Sequence, residues 1–224
     1  MSVPRQLALA LDHTESLTRD DFLVGPSNDA ALAMIERWPD WPNRAIALAG
    51  PAGSGKSHLA SIWAAQSGAR FLSARALPET HLPSALATGA LVVEDIADDG
   101  LDERAMFHLL NLARQDDGWL LLTARTPPTQ WTVALPDLAS RLRAIPAVVL
   151  TPPDDALLRA VTVKLFADRQ LAVDESLVGY LLTRIERSFA AARAVVALLD
   201  EEALRRKRPV NRALAAELLR DTAL

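Results

Sequence analysis

Eight consecutive residues have the types and spacing of a phosphate-binding loop. The pattern G-x-x-x-x-G-K-[ST] is matched in full by Gly50, Pro51, Ala52, Gly53, Ser54, Gly55, Lys56 and Ser57. Glycines let the backbone adopt positive φ angles, so successive N–H groups can face an anion. In such a loop the lysine reaches the β- and γ-phosphates and the Ser57 hydroxyl is a ligand of Mg²⁺. A glycine-rich turn that binds nothing is the alternative. An apolar run before the loop and a helical pattern after it favour phosphate binding.

Two adjacent carboxylates, Glu94 and Asp95, end an apolar run that predicts a buried strand. In open α/β sheets, ligands bind at the carboxyl ends of the strands. One carboxylate, which we assign as Glu94, would hold the magnesium shell, and the other could polarise an attacking water. The alternative is a solvated strand end that continues into the acidic pair Asp98-Asp99.

The elements that would position these residues follow a β/α order. Short apolar runs predict strands, and apolar residues at helical spacing predict helices between them. The predicted strands are Ala45–Ala49, Arg70–Ser73, Ala90–Ile96, Trp119–Thr123 and Ala147–Leu150. The predicted helices are Asn28–Trp38, Lys56–Ala65 and one through Leu101–Ala113 that closes before Gly118. Continuous apolar strands separated by helices are typical of a parallel sheet covered on both faces.

The character of the chain changes at Thr151-Pro152-Pro153, after which only helical periodicity is found. Four helices are predicted there, the second with Asp174 as its N-cap. We therefore expect three regions. They are a head at 1–20, an α/β domain at 21–151 and an all-α lid at 152–224.

Composition excludes several classes of function. The chain has no cysteine, so disulfides, thiol catalysis and cysteine–metal sites are absent. It carries 24 basic and 28 acidic residues, which argues against wrapping nucleic acid over the whole surface. No signal peptide and no long apolar span occur in the sequence, so we expect a cytoplasmic protein.

Several segments together resemble the AAA+ proteins related to the bacterial initiator DnaA, and more narrowly the Hda-type regulators that inactivate it. Besides the phosphate loop they are 22–28, Glu94-Asp95-Ile96, 121–128 and 135–142. The resemblance implies an α/β fold, namely an AAA+ P-loop NTPase with a five-stranded parallel sheet flanked by helices, followed by an all-α lid domain. The sequence ends at Leu224 after the lid, so we expect no helix-turn-helix domain of the kind with which initiators read DNA.

The resemblance also assigns roles to residues. Segment 22–28 is similar to the family's nucleotide-base clasp, which implicates Val24 and Asn28. His58, which directly follows the loop, is also assigned to the cofactor-binding residues. Thr123 falls in the sensor segment, among the catalytic residues with Glu94 and Asp95.

Arg141 falls in the segment that resembles the arginine-finger box. An arginine here could instead pair with Asp137 at i−4. In AAA+ assemblies the finger is offered across a subunit interface to the neighbour's γ-phosphate, so the resemblance implies a role in trans.

The head resembles a peptide that binds the replicative sliding clamp. Its pattern Q-L-x-L-x-L is carried by Gln6, Leu7, Leu9 and Leu11. An extended peptide can present Gln6 to a polar subsite while the leucines fill an apolar groove. A short strand or a tail without a partner is the alternative.

Some residues depart from the family pattern. Arg125 stands where the family more often has a smaller polar or acidic residue. An ungapped match places Ala190 at the position of the lid arginine that touches the phosphates, and Arg193 or Arg187 could substitute. These departures predict weak ATP hydrolysis and a nucleotide-sensing site that holds ADP or ATP with Mg²⁺.

The function that the resemblance implies is regulatory. The chain would act with the DNA-loaded DNA polymerase III sliding clamp (beta subunit) and stimulate hydrolysis of DnaA-bound ATP, which prevents re-initiation of replication. DNA would be contacted indirectly through the clamp. A homo-oligomer of the chain is a further possible assembly. The alternatives are a helicase-loader or DNA-remodelling ATPase, a small-molecule P-loop kinase, and an adaptor whose nucleotide only stiffens the fold.

Overall fold

A single parallel sheet of five strands organises the first part of the chain, in the order β2-β3-β4-β1-β5. The computed structural model describes residues 17–97 and 100–220, except for the side chain of Glu79. The strands are β1 (Ala45–Ala49), β2 (Arg70–Ser73), β3 (Ala90–Ile96), β4 (Trp119–Ala124) and β5 (Ala147–Val149). The predicted parallel sheet is confirmed, with β4 continuing to Ala124 and β5 ending at Val149.

Helices connect the strands and make up the rest of the described chain. Before and between the strands they are α1 (Asp29–Glu36), α2 (Lys56–Ser67), α3 (Leu82–Ala85), α4 (Glu103–Gln115) and α5 (Pro136–Arg143). After the sheet they are α6 (Asp155–Asp168), α7 (Glu175–Leu182), α8 (Phe189–Arg206) and α9 (Arg212–Leu218). Short 3-10 helices cover Ala74–Glu79 and Pro128–Gln130. Among the described helices, none is long and apolar enough to cross a membrane.

The central strands β1, β3 and β4 are buried on both faces, and their successive residues point to opposite sides. Leu91 and Val93 belong to a core cluster shared with α4 and α5. Val92, between them, belongs to a second cluster shared with α1 and α2. The strands β1, β3 and β4 therefore contain almost only apolar residues, as expected for strands covered on both sides.

The four helices after the sheet bury a third cluster of their own, with Phe166 fully buried in it. Each begins at a polar side chain that accepts a hydrogen bond from a backbone N–H in the first turn, which satisfies a donor the helix leaves unpaired. These N-caps are Asp154, Asp174, Ser188 and Asn211. The predicted cap at Asp174 is confirmed, while the division into domains at 151 stays a prediction.

Several contacts join these last helices to the sheet region. The backbone N–H of Phe189, at the start of α8, donates to the Gly53 carbonyl at 3.0 Å. Lys164 of α6 makes an ion pair with Asp21 at 2.8 Å. Leu157 of α6 packs against Gly25, where an added Cβ would lie 2.9 Å from the leucine Cδ2. The lid region is thereby held directly against the phosphate loop and the segment before α1.

Replacing Phe166 with alanine tests whether the third cluster is a true core. The side chain is fully buried, so its removal should lower the free energy of unfolding by ~3–5 kcal/mol. Leu204→Ala is the matched control, because Leu204 is 70% exposed and its loss should cost less than ~0.5 kcal/mol. Urea unfolding followed by circular dichroism measures both. Equal midpoints for the two variants would contradict this packing.

Candidate functional site

The loop between β1 and α2 is shaped by glycines in the left-handed region of φ. Gly53 has φ +71° and Gly55, the N-cap of α2, has φ +99°. Both conformations are disfavoured for residues with a Cβ. They turn the backbone so that N–H groups and the amino end of α2 face the same side, which is the arrangement that binds phosphate. Inside the loop, Ser54 is 2% exposed and its Oγ has no hydrogen-bond partner among the described residues.

Lys56 lies across this loop. Its Nζ donates to the carbonyl oxygens of Gly50 and Pro51, each at 2.8 Å. Burial lowers the pKa of the ammonium, the Asp95 carboxylate raises it, and the Arg125 guanidinium lowers it further. A desolvated ammonium next to free loop amides is suited to an anionic ligand, which would replace the hydration that burial removes.

Beside Lys56 is a cavity of about 580 Å³, which we call the phosphate-side cavity. It lies where the carboxyl ends of β2, β3 and β4 meet the loop. Its lining consists of Ala52, Lys56, Ser73, Arg75, Asp95, Ile96, Ala97, Ala124 and Arg125. Three cationic side chains and one carboxylate therefore face a single recess. The sequence indicated Lys56 and Asp95 for this site, but it did not indicate Arg75, and it treated Arg125 only as a departure.

A distortion at the end of β3 positions Asp95. The pairing of β3 with β4 shifts register between Val93 and Ile96, and Asp95 has φ +56°. Its backbone N–H donates to the Thr123 Oγ1 at 3.2 Å, so the buried Thr123 holds this bend in place. Asp95 faces the phosphate-side cavity, and Glu94 precedes it, half-buried at the end of the strand.

A second cavity, of about 300 Å³, lies between the phosphate loop and the lid helices. We call it the lid-side cavity. Apolar side chains from both regions line it: Leu17, Phe22, Leu23, Val161, Leu165 and Phe189. Asp21, Asn28, His58, Lys164, Asp168, Arg169 and Arg193 add polar groups, and Gly55 connects it to the loop. A flat apolar group attached to phosphates on the loop would fit this space.

Of the two residues predicted for the base clasp, Asn28 lines this cavity and Val24 does not. Asn28 is buried, accepts from the Gly25 N–H at 2.9 Å and donates to the Leu23 carbonyl at 3.0 Å. His58 contacts the Thr18 carbonyl at 2.8 Å and packs edge-on against Phe22. Val24 is 49% exposed, and Leu23 beside it lines the cavity instead.

The candidate lid arginines lie away from the phosphate-side cavity. Arg187 makes an exposed ion pair with Asp155 at 2.8 Å. Arg193 lines the lid-side cavity. Ala190 packs against the loop, where a Cβ added to Gly53 would lie 2.7 Å from the alanine Cβ.

Arg141 occupies a different part of the molecule. It sits near the end of α5, with its Cζ 4.9 Å from the ring centre of Phe107. It lines a cavity of about 390 Å³ together with Arg44, Arg114 and the first residues of β1 and β4. Among the described residues it makes no ion pair, so the alternative pairing with Asp137 is not formed. The predicted clamp-binding residues Gln6, Leu7, Leu9 and Leu11 lie outside the described residues.

The loop and its surroundings fit a nucleotide phosphate chain with Mg²⁺. Left-handed glycines, a desolvated lysine and an unpaired buried hydroxyl converge on one concave surface. Within the described chain, no cluster of three acidic or histidine side chains forms a metal site by itself. Ser57 and the carboxylates of Glu94 and Asp95 would therefore hold Mg²⁺ jointly with phosphate oxygens, which is the usual mode for this cation.

Comparison with known proteins identifies the fold. No protein-family model matches the chain. Domain III of the replication initiation protein DnaA from Thermotoga maritima is 18% identical, with a TM-score of 0.76 over 92% of this chain and 97% of that one. AMPPCP-bound DnaA from Aquifex aeolicus is 19% identical, with a TM-score of 0.64 over 84% and 67%. The RuvB Holliday junction branch migration motor of Thermotoga maritima is 16% identical, with a TM-score of 0.68 over 92% and 72%.

These likenesses establish the architecture. The chain has the AAA+ P-loop NTPase fold, a parallel five-stranded sheet with flanking helices followed by a helical region. Its arrangement is the one found in DnaA domain III. The predicted fold class is confirmed.

Gly53→Ala tests the close packing of the lid on the phosphate loop. Gly68→Ala is the control, because Gly68 has φ +70° but nothing within 4 Å of an added Cβ. Both variants bear backbone strain of ~1–2 kcal/mol. Gly53→Ala should lose a further ~1–3 kcal/mol of unfolding free energy, since its Cβ collides with Ala190. Chemical denaturation measures the difference, and equal losses would show that α8 does not press on the loop.

Proposed function

We propose that the chain binds ADP or ATP with Mg²⁺ across the loop and the lid-side cavity. The phosphates would lie on the N–H groups of the loop and Lys56, with the base between Phe22, Leu23 and the lid helices. Arg193 would contact the nucleotide from the lid on that side. The converging loop glycines and the apolar cavity beside them support this reading, and the resemblance of segment 22–28 to a base clasp points to adenine.

We further propose that Arg141 acts on a nucleotide held by a different molecule. The observation that carries this proposal is its position at the amino ends of β1 and β4, whereas the phosphate loop follows the carboxyl end of β1. At ~3.3 Å per residue, the five residues of β1 separate these edges by roughly 15 Å. Arg141 therefore cannot serve the chain's own loop.

The surroundings of Arg141 favour an anionic partner group. Arg44 and Arg114 line the same cavity. Arg44 is already engaged with Asp117 and stacks on Trp119. The Arg141 guanidinium lies over the Phe107 ring and makes no ion pair with a side chain that the structure describes. A guanidinium can form paired hydrogen bonds to phosphate oxygens and stabilise the charge that develops during phosphoryl transfer. This chemistry supports the proposed role of Arg141 as an arginine finger.

The partner that we propose is ATP-bound DnaA. DnaA binds AMPPCP, an ATP analogue, in solved structures that share this fold. A chain with the same fold can dock beside DnaA and offer Arg141 to that ATP. The head residues Gln6, Leu7, Leu9 and Leu11 would bring the chain to the DNA-loaded sliding clamp. The result would be hydrolysis of DnaA-bound ATP only after replication has begun, so that re-initiation is prevented.

Arg141→Ala should abolish the stimulation of DnaA-bound ATP hydrolysis. Loss of an arginine finger lowers the rate by ~10³-fold or more. Folding and adenine-nucleotide affinity should change little, because the side chain is only partly buried and lies at the sheet edge opposite the loop. Release of labelled phosphate from preloaded DnaA measures the rate, with the DNA-loaded clamp present.

Arg143→Ala is the matched control for this experiment. Arg143 is exposed on the same helix and is not part of the cavity that holds Arg141. It should retain stimulation within about twofold. Full stimulation by Arg141→Ala, or equal loss in both variants, would refute the assignment of Arg141.

Replacing Leu7, Leu9 and Leu11 together by alanine should eliminate clamp binding, because the apolar side chains that fill the groove are removed. The control changes Ala8 and Ala10 to serine at the intervening positions, which should retain affinity within about threefold. Surface plasmon resonance on immobilised clamp gives both values. Unchanged affinity in the leucine variant would end the clamp proposal and leave the role of Arg141 to be judged separately.

A further inference from the structure

The phosphate-side cavity carries more positive charge than the loop lysine alone supplies. Arg75 and Arg125 face it together with Lys56, opposed by the Asp95 carboxylate. Neither arginine makes an ion pair or a hydrogen bond with any other side chain that the structure describes. Both side chains are exposed and lie at the rim of the cavity. Two unpaired guanidinium groups around one recess are a preformed site for an anion.

The order of the sheet creates this grouping. Arg75 lies in the 3-10 helix directly after β2, Asp95 at the end of β3, and Arg125 directly after β4. These strands are neighbours in the sheet, and parallel strands place their carboxyl ends at one edge. The residues are therefore adjacent in space although fifty positions separate Arg75 from Arg125 in the numbering.

No cationic side chain from the described part of the lid lines this recess. The start of α8 packs Ala190 against Gly53, which leaves no side chain there long enough to reach a phosphate. Arg187 is engaged with Asp155 at the surface, and Arg193 lines the other cavity. Among the described residues, the cations that line this recess beside Lys56 are the two arginines at the strand edge, Arg75 and Arg125.

We propose that Arg125, assisted by Arg75, binds the terminal phosphate of a nucleoside triphosphate held in this chain's own loop. ATP is thereby distinguished from ADP at the sheet edge and not by a lid arginine. The inference rests on the proposed nucleotide binding and assigns a specificity-determining residue to it.

The electrostatics of the recess agree with this role. Burial lowers the pKa of the Lys56 ammonium most, the Asp95 carboxylate raises it, and repulsion from Arg125 lowers it further. A γ-phosphate would lie between these two cations and convert their mutual repulsion into attraction for the ligand. ADP ends before this position, so it gains little from Arg125. The selectivity between the two nucleotides should accordingly depend on this guanidinium.

The test compares dissociation constants for ADP and for AMPPCP, which is not hydrolysed at the γ position, by isothermal titration calorimetry with Mg²⁺. Arg125→Ala should weaken AMPPCP binding ~10-fold, equal to about 1.4 kcal/mol, and change ADP binding less than about twofold. Arg75→Ala should show the same pattern with a smaller effect. Arg114→Ala removes an exposed arginine at the opposite edge and should change neither constant.

The outcomes distinguish failure of the proposed nucleotide binding from failure of the role assigned to Arg125. If the unmodified chain binds neither nucleotide, the proposed function fails and the inference fails with it. If it binds both and Arg125→Ala shifts the two constants equally or not at all, the inference alone is overturned. A single-stranded oligonucleotide provides a further arm. Loss of oligonucleotide binding in Arg125→Ala, with the AMPPCP to ADP ratio unchanged, would assign the recess to nucleic acid and also overturn the inference.

Discussion

The hydrogen bond from the Phe189 N–H to the Gly53 carbonyl joins the helical region to the phosphate loop, and much of the site depends on it. It brings the start of α8 so close that Gly53 tolerates no Cβ next to Ala190. The same approach places Phe189 over Gly55 and forms one wall of the lid-side cavity. A ligand on the loop therefore touches both regions at once, and its binding free energy is available to hold them together.

The second constraint is the polarity of the parallel sheet. All five strands run the same way, so the carboxyl edge gathers Lys56, Asp95 and Arg125, while the amino edge carries Arg44 and Arg141. In the proposed function, the carboxyl edge receives a phosphate chain and the amino edge offers Arg141 to the phosphates of a second molecule. Two such edges on one molecule suit a head-to-tail contact with a second protein of the same fold.

The sequence indicated the loop and Asp95 but missed other residues that come to the cavities from distant parts of the chain. The loop at 50–57 is a contiguous pattern whose backbone demands are met by its own glycines, and its neighbouring strand and helix followed from periodicity. Arg75 carries no motif and reaches the site only through the pairing of β2 with β3. Lys164 comes from α6, a region whose docking no local pattern encodes. The clasp was predicted at Val24 and Asn28. Asn28 lines the lid-side cavity and donates to the Leu23 carbonyl, and Leu23 lines the cavity where Val24 does not.

The most direct test is a reconstitution with DnaA preloaded with labelled ATP, DNA-loaded clamp and the unmodified chain, omitting each component in turn. Hydrolysis should accelerate only when the chain and the loaded clamp are both present, because the clamp brings the amino edge with Arg141 to the initiator. Hydrolysis at the same rate with and without the chain would contradict the account.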